Sequence, residues 1–313
     1  MNIKSINYSC ENDFSDLQTP VSLAFLNWDF IETLSQATGY KNISVTIDAR
    51  GKKYILPLLE RRSMGLHPIA FSLPLGLYGG IDVHEVELYI ELMKRTKKFL
   101  GISIVLQNPF DSILPQINLP SIVRTSTHVV EFGNTTYEDI FKNYFDSKLR
   151  NQIRKGEKSH LAITEGNDEE TVKAFYELYV LTNRRWGKSH PKYSLDFFQT
   201  FAGKPYFEIK LSMLEGQVIS AIVLLKLSGQ YFYWFGALNK DYGKYCPNHL
   251  LLSAAIREAI EAGAGFFNFG ASGKLIDVKK FKESFGAKEI PYDIYFMGDP
   301  LTRYALAKLI QRQ

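Results

Sequence analysis

The sequence predicts an α/β protein with mixed (α+β) sheets, arranged as two tandem units. Three observations carry this. Two β-hairpins occupy matching places, one in each half. Two helices run through glycine into an apolar strand, again one in each half. The offsets agree: the turn glycines Gly51 and Gly216 lie 165 positions apart, and Gly101 and Gly265 lie 164 apart. One order of elements at nearly one offset marks a repeated unit. Hairpins and helix–strand turns are common, so chance competes, and the matched order favours repetition.

The first hairpin is residues 43–48, the turn Ala49-Arg50-Gly51, then residues 52–59. β-Branched residues on either side of a turn glycine support it. A helix at 86–100 follows and leads through Gly101 into a strand at 102–106. The first unit ends near Gly133, so domains are expected at residues 1–135 and 136–313. Helices are expected at 137–145, 148–158, 169–186 and 195–201. The second hairpin is 207–214, Glu215-Gly216-Gln217 and 218–225. Residues 231–235 form a strand whose unbroken aromatic run implies cover on both faces. The helix at 250–262 carries Leu252, Ala255, Ile256, Ala259 and Ile260 on one core face. It leads through Gly263-Ala264-Gly265 into residues 266–269. Strands and helices do not alternate strictly, so each sheet is mixed.

At 313 residues the chain has room for two domains. Hydrophobic content of 45% with 22% charged residues excludes a disordered or fibrous chain. A net charge of +4 is mild and does not mark a nucleic-acid binder; no DNA partner is expected. Two cysteines, Cys10 and Cys246, give neither a disulfide framework nor a zinc spacing, and no metal is expected. No apolar stretch is long enough to span a bilayer. Residues 1–10 lack the basic-then-apolar pattern of a secretory signal. The expectation is a cytoplasmic protein, with the inner face of the membrane as an option. That option rests on a C-terminal helix at 301–313, with Leu301, Ala305, Leu306, Leu309 and Ile310 on one side. Docking on its own domain is the favoured role for this helix.

The end of the second unit holds the most informative residues. Phe266-Phe267-Asn268-Phe269 is an apolar strand, Gly270-Ala271-Ser272-Gly273 a small-residue turn, and Phe281-Lys282-Glu283-Ser284-Phe285-Gly286-Ala287 a short helix and its stop. Glycine at a strand end lets backbone approach a ligand. On a helical projection Leu275, Val278, Phe281 and Phe285 mark a buried arc, and Lys282 falls inside it. A lysine there must snorkel, pair or bind an anion. A salt bridge to a neighbouring carboxylate is the plainer alternative.

Residues 148–158 hold Lys148, Arg150, Arg154, Lys155 and Lys158 against one acid, Glu157. Leu149 and Ile153 form the core stripe, and Arg150 and Arg154 a second one. Paired guanidiniums suit phosphates; a solvated face is the alternative. Ser147 is the expected N-cap. Arg185 and Trp186 end a helix before Gly187. Arginines there either answer the helix dipole or bind a ligand. Tyr233 and Trp234 are candidates to line a tunnel, and Tyr245 and Asn248 stand where the next helix begins. A histidine at a helix start, such as His249, is more often structural than a base. Nothing near Cys246 activates it as a nucleophile. No Ser-His-Asp or Cys-His arrangement is visible.

These segments resemble the FemAB-like branch of the GNAT N-acyltransferase superfamily. The order helix, strand, glycine turn and Phe-Lys-x-x-Phe-Gly is similar to that family's C-terminal half. Residues 150–155 are similar to its Arg-x-x-Ile-Arg-Lys segment, with Gly156 in place of the usual alanine, a change expected to shorten the helix. Ile55-Leu56-Pro57-Leu58 and Leu77-Tyr78-Gly79-Gly80 are similar to its Pro-Leu strand and Tyr-Gly-Gly turn. The resemblance covers most of the chain and is strongest over residues 146–295.

It implies two GNAT-like domains with the donor site in the second. It also implies an N-acyltransferase that moves an acyl or aminoacyl group onto an amine. The donor would be acyl-CoA, acyl-carrier protein or aminoacyl-tRNA, and no cofactor would be bound permanently. The acceptor would be a small-molecule or lipid-linked cell-surface glycan or peptidoglycan precursor. Lys282 would be catalytic, stabilising charge with the backbone near Gly270 and Ser272. Arg150, Arg154 and Arg185 would hold phosphates; Trp186, Tyr233, Trp234, Tyr245 and Asn248 would complete the binding set. The family's glycine-rich pyrophosphate loop is missing, since only Gly243 stands before the helix, and this weighs against CoA. A long helical hairpin of the kind that contacts tRNA is not visible either. The alternative reading is a catalytically silent module of the same fold that binds a nucleotide-sugar or an anionic glycan.

Overall fold

A computed structural model describes residues 3–15, 20, 23–62, 67–273 and 275–311, with side chains through residue 308. Leu309, Ile310 and Arg312 of the expected terminal helix lie outside the described side chains. The chain begins with β1 (Ile3–Tyr8), α1 (Trp28–Thr38), β2 (Lys41–Asn42), β3 (Val45–Ala49) and β4 (Lys52–Leu56). Next come β5 (Leu59–Arg61), β6 (Ile69–Phe71), α2 (Val86–Leu100), β7 (Ser103–Leu106) and β8 (Ser121–Glu131). Then follow α3 (Tyr137–Asn143), α4 (Ser147–Lys158), β9 (Ala162–Gly166), α5 (Glu169–Arg185) and α6 (Leu195–Gln199). The remainder is β10 (Phe207–Leu214), β11 (Gln217–Leu227), β12 (Gln230–Leu238), α7 (Pro247–Glu261), β13 (Phe266–Ala271), α8 (Ile276–Glu283), β14 (Lys288–Met297) and α9 (Pro300–Gln311). The class is α/β with mixed sheets.

Two compact units form: Met1–Thr127 together with Ile290–Gln313, and His128–Glu289. Compared with the expected division after residue 135, the main difference lies at the C-terminus. β14 pairs antiparallel with β7, Tyr295 opposite Leu106, so the last strand belongs to the first unit's sheet.

In the first unit β1, β3 and β4 form a small sheet, and β3 and β4 are the expected hairpin, Val45 opposite Leu56. A second sheet runs β2-β5-β6-β7-β14, next to the first part of β8. β6 and β7 are parallel, and the pairs β2–β5, β5–β6 and β7–β14 are antiparallel. α2 packs Leu88, Tyr89, Leu92 and Met93 into a core shared with Val45, Ile47, Ile104 and Leu106. It stops at Gly101, φ +69°, a left-handed residue that glycine adopts without the Cβ penalty.

In the second unit the order is β8-β13-β12-β11-β10-β9. β9, β10, β11 and β12 are antiparallel neighbours; β12 and β13 are parallel. One core sets α3, α4 and α7 against the sheet through Ile140, Leu149, Ile153, Leu251, Ile256 and Phe267. α4 starts at Ser147 with Asp146 as its cap, accepting from the Leu149 N–H at 2.6 Å. The expected cap, Ser147, is therefore the first helical residue. Gly156 does not shorten α4, which runs on to Lys158. It serves packing instead, because a Cβ there would lie 3.2 Å from the Leu250 Cβ of α7.

The turn that follows α8 holds the motif glycine. Gly286 has φ +76°, and a Cβ on it would lie 2.7 Å from Tyr144 Cβ and 3.1 Å from the Tyr144 carbonyl oxygen. Gly286→Ala therefore meets left-handed strain and backbone overlap together. The expected loss is about 3 kcal/mol, read as a lower urea midpoint with an unchanged m-value.

Candidate active site

The site grows from the way two parallel strands meet. The β12–β13 ladder runs over Gln230–Phe232 and Phe266–Asn268 and, among the described residues, ends there. Beyond it the rings of Tyr233 and Phe269 stand 6.3 Å apart, edge to face. β13 then turns at Gly270, φ +68°, whose N–H donates to Asn268 Oδ1 at 2.8 Å. The buried Asn268 side chain thus shapes the strand end.

Lys282 reaches this strand end from α8. It is 3% exposed, and its Nζ donates to the carbonyl oxygens of Gly270 at 2.8 Å and Ala271 at 2.9 Å. Among the described residues no carboxylate lies within ion-pair distance, so the salt-bridge alternative does not hold. Burial without a counter-ion pushes its pKa down to about 7. An ammonium has three donors; two are fixed on backbone, and the third has no acceptor among the described residues. Leu275, expected in the buried arc, is 62% exposed because it is the N-cap of α8 rather than part of its apolar face.

Sequence reading missed one member of this group. His128, in β8, has a fully buried side chain, and its Nδ1 lies 3.5 Å from Ser272 Oγ. Its Nε2 lies 3.9 Å from Glu283 Oε1 and makes no hydrogen bond. Burial first and the Lys282 charge second hold its pKa below the usual value, against Glu289 and Glu283, which raise it. The ring is therefore neutral around pH 7.

The remaining candidates divide among other neighbourhoods. Tyr233 is half-buried, and desolvation raises its phenol to about 12. The β11–β12 register shifts between Leu224–Tyr233 and Val223–Phe235, so Trp234 is the extra residue of a bulge. Consecutive strand residues normally face opposite ways, yet Trp234 and Phe235 both contact Phe197, at 5.7 and 6.4 Å. Trp234 is thus part of an aromatic wall with α6. Asn248 Oδ1 is tied to the Ser220 hydroxyl of β11. Tyr245 is half-buried beneath the Lys244 ammonium, 5.0 Å from its ring centre.

Arg150 turns its guanidinium to the carbonyls of Lys142 and Phe145 at the end of α3. Arg154 is exposed over the Phe141 ring at 5.4 Å. Arg185 and Trp186 are both exposed at the end of α5 and stack at 5.8 Å. Lys282, Gly270 and Ser272 are therefore the expected residues that the fold gathers most closely. His249 of α7 is half-buried with an unbonded Nδ1, edge to face with Phe281 at 5.3 Å.

A second charged group lies elsewhere in the unit. Lys210, 3% exposed, meets Glu165, Glu208 at 3.1 Å and Glu258 at 2.6 Å. Lys226 bridges Glu208 and Glu258, and the Tyr231 hydroxyl donates to Glu258 at 3.0 Å. The lysines fill the place that a cation would take among these carboxylates.

A family profile described as Acetyltransferase (GNAT) domain matches residues 145–283. Residues 145–283 are thus a GNAT-type acetyltransferase domain, and the protein is an acyltransferase. The matched segment holds β12, β13, Gly270 and Lys282. Among solved structures, FemX superimposes with a TM-score of 0.73 at 13% identity, over 96% of this chain and 99% of that one. The C-terminal domain of a putative lysylphosphatidylglycerol synthetase from Agrobacterium fabrum gives 0.61 at 12%, over 96% and 94%. L-PGS from Bacillus licheniformis gives 0.55 at 11%, over 94% and 100%. At these identities the likeness is one of fold. No curated protein sequence matches. No helix of the described residues is long and apolar enough to cross a membrane.

Proposed function

We propose that this GNAT acyltransferase is an N-acyltransferase of FemAB type. It moves an acyl or aminoacyl group from an activated donor to an amine of a cell-surface glycan or peptidoglycan precursor. The observation that carries the reading is Lys282. A buried ammonium with no carboxylate, fixed on the carbonyls of a strand end, is a preorganised charge awaiting a negative partner. The oxyanion that forms as an amine attacks an acyl carbon is such a partner.

The amine must sit about 3–3.5 Å from the acyl carbon. The end of the β12–β13 ladder is the place for the donor's acyl end. The N-terminus of α7 lies after β12, with Cys246 in a left-handed conformation and no side-chain cap, and offers backbone N–H groups to a phosphate of the donor. Arg154 and Arg185 remain exposed for phosphates, whereas Arg150 is engaged on α3. Likeness to FemX and to the lysylphosphatidylglycerol synthetases supports an aminoacyl donor over acyl-CoA.

Binding of acetyl-CoA and of charged and uncharged tRNA, at two salt concentrations and with Lys282→Ala alongside, tests this. The expected result is preference for charged tRNA over uncharged, with a salt slope set by the phosphate contacts. Saturable acetyl-CoA binding lost in the variant would move the donor to CoA. Binding of neither, with retention of a nucleotide-sugar, would replace the transferase reading by the silent module.

A further inference from the structure

The N-acyl transfer reading leaves one chemical task unassigned. The attacking amine must lose a proton, and the leaving oxygen or sulfur must gain one. We propose that Ser272, His128 and Glu283 form a proton relay that carries out both steps. The inference rests on the transferase reading and names residues that the reading does not need.

The contacts run in series. Ser272 follows Gly270 and Ala271, whose carbonyls hold Lys282, the group proposed to meet the oxyanion. His128 Nδ1 faces that hydroxyl at 3.5 Å, and Nε2 faces Glu283 Oε1 at 3.9 Å. Both separations are long for hydrogen bonds, as expected of a site without substrate. The imidazole is sealed from solvent and its Nε2 is unbonded. A buried, unbonded ring nitrogen has a cost, and the Glu289 and Glu283 carboxylates would stabilise the ring once charged, Glu283 lying nearest Nε2 at 3.9 Å. The groups around the ring are Lys279, Lys282 and Glu283 from α8 and Glu289 from β14. Lys279 is already paired with Glu289 at 2.5 Å, which leaves Glu283 as the responsive acid.

The step balances. The amine nitrogen bonds the acyl carbon while its proton passes to Ser272 Oγ, and the serine's own proton passes to His128 Nδ1. The ring becomes an imidazolium opposite Glu283. The bond from the acyl carbon to the leaving atom then breaks, and the leaving atom keeps the electron pair. The proton on Nδ1 returns through Ser272 to that atom. One proton has moved from nitrogen to the leaving group, and the relay ends as it began. The neighbouring Lys282 charge opposes an imidazolium in the resting site. It does so less once the oxyanion is present, so the ring becomes basic when the proton arrives.

The test is a pH–rate profile with alanyl-tRNA and acetyl-CoA as donors and a lysine-containing pentapeptide as acceptor. Wild type, His128→Asn, Ser272→Ala and Glu283→Gln are compared. The expected result is a fall of about 100-fold for the first two variants, within the range of general acid–base catalysis. The acid limb of the profile disappears in His128→Asn. In Glu283→Gln, a half-exposed position that spares the core, the limb moves to lower pH because the imidazolium loses its carboxylate. Nitrogen NMR of the wild-type ring is expected to place its neutral-state proton on Nε2. An active wild type with an unchanged profile in His128→Asn and Glu283→Gln overturns the relay alone, as does a proton resident on Nδ1. A wild type that transfers from neither of these donors nor from an acyl-carrier-protein thioester removes the transferase reading and the relay with it.

Discussion

Lys282→Met is expected to lower turnover about 10²- to 10³-fold, the scale of losing one preorganised donor to an oxyanion. Steady-state rates at saturating donor read this directly, and a variant within twofold of the parent would refute the charge role. The pH dependence follows from burial. With its pKa near 7, Lys282 is an ammonium below neutrality and an uncharged amine above it. Turnover through this group therefore falls as pH rises past 7, unless a bound anionic donor holds the proton on.

Stability moves the other way. An unfolded lysine keeps its proton to about pH 10.4, so between 7 and that value the unfolded chain binds more protons. Folding stability then rises with pH across the window. Lys282→Met removes this rise. The variant compares best with its parent below pH 7, and the difference shrinks toward the top of the window. Urea unfolding at pH 6 and pH 9 separates the two cases.

Lys210→Met is expected to lower stability by as much as any change considered. It leaves Glu165, Glu208 and Glu258 with Lys226 as their remaining cation in the group. Breaking a buried charge group from one side costs about 3–5 kcal/mol, and the half-exposed acids place this case near the lower end. Hydrogen bonds from Lys210 and Lys226 hold the Glu258 pKa below its ordinary value despite burial. That contribution is present above the ordinary glutamate range and is lost as pH falls through the folded pKa. The lysine's own pKa is raised, so its contribution is complete below the ordinary lysine value and lost only in strong alkali. In Lys210→Met the acid loss is shallower, because Glu258 then titrates closer to its ordinary value. Urea midpoints from pH 3 to pH 7 check both the size and the slope.

Both hairpins were legible because their turn glycines separate runs rich in apolar residues, and Gly51 and Gly216 do adopt positive φ. The helix–glycine–strand units were legible for the same kind of reason. β8 was not, since Arg124, Ser126, Thr127 and His128 break its apolar pattern, and neither was β14, with Lys288, Glu289, Pro291 and Asp293 along it. Their strand character comes from neighbours in the sheet rather than from local preference.

The site shows the same division. Lys282 was readable because helical projection placed it among apolar residues. The deciding feature, two backbone carbonyls in place of a carboxylate, depends on how a strand end meets α8. His128 was invisible because its nearest polar partner is 144 positions away. The bulge that turns Trp234 toward α6 likewise depends on a register no single strand reveals.

The placement of β14 also has a consequence for biosynthesis. The first unit is made of residues that leave the ribosome before His128–Glu289 and of Ile290–Gln313, which leave after it. Domains tend to fold as units while the chain emerges, but this one must wait with β7 unpaired on one side until β14 arrives to complete the ladder. The segment His128–Glu289 is continuous and can close its own core in the meantime. A pause or an early stop after residue 289 would therefore yield a formed second unit joined to an unfinished first one with an open strand edge, a form exposed to aggregation and proteolysis.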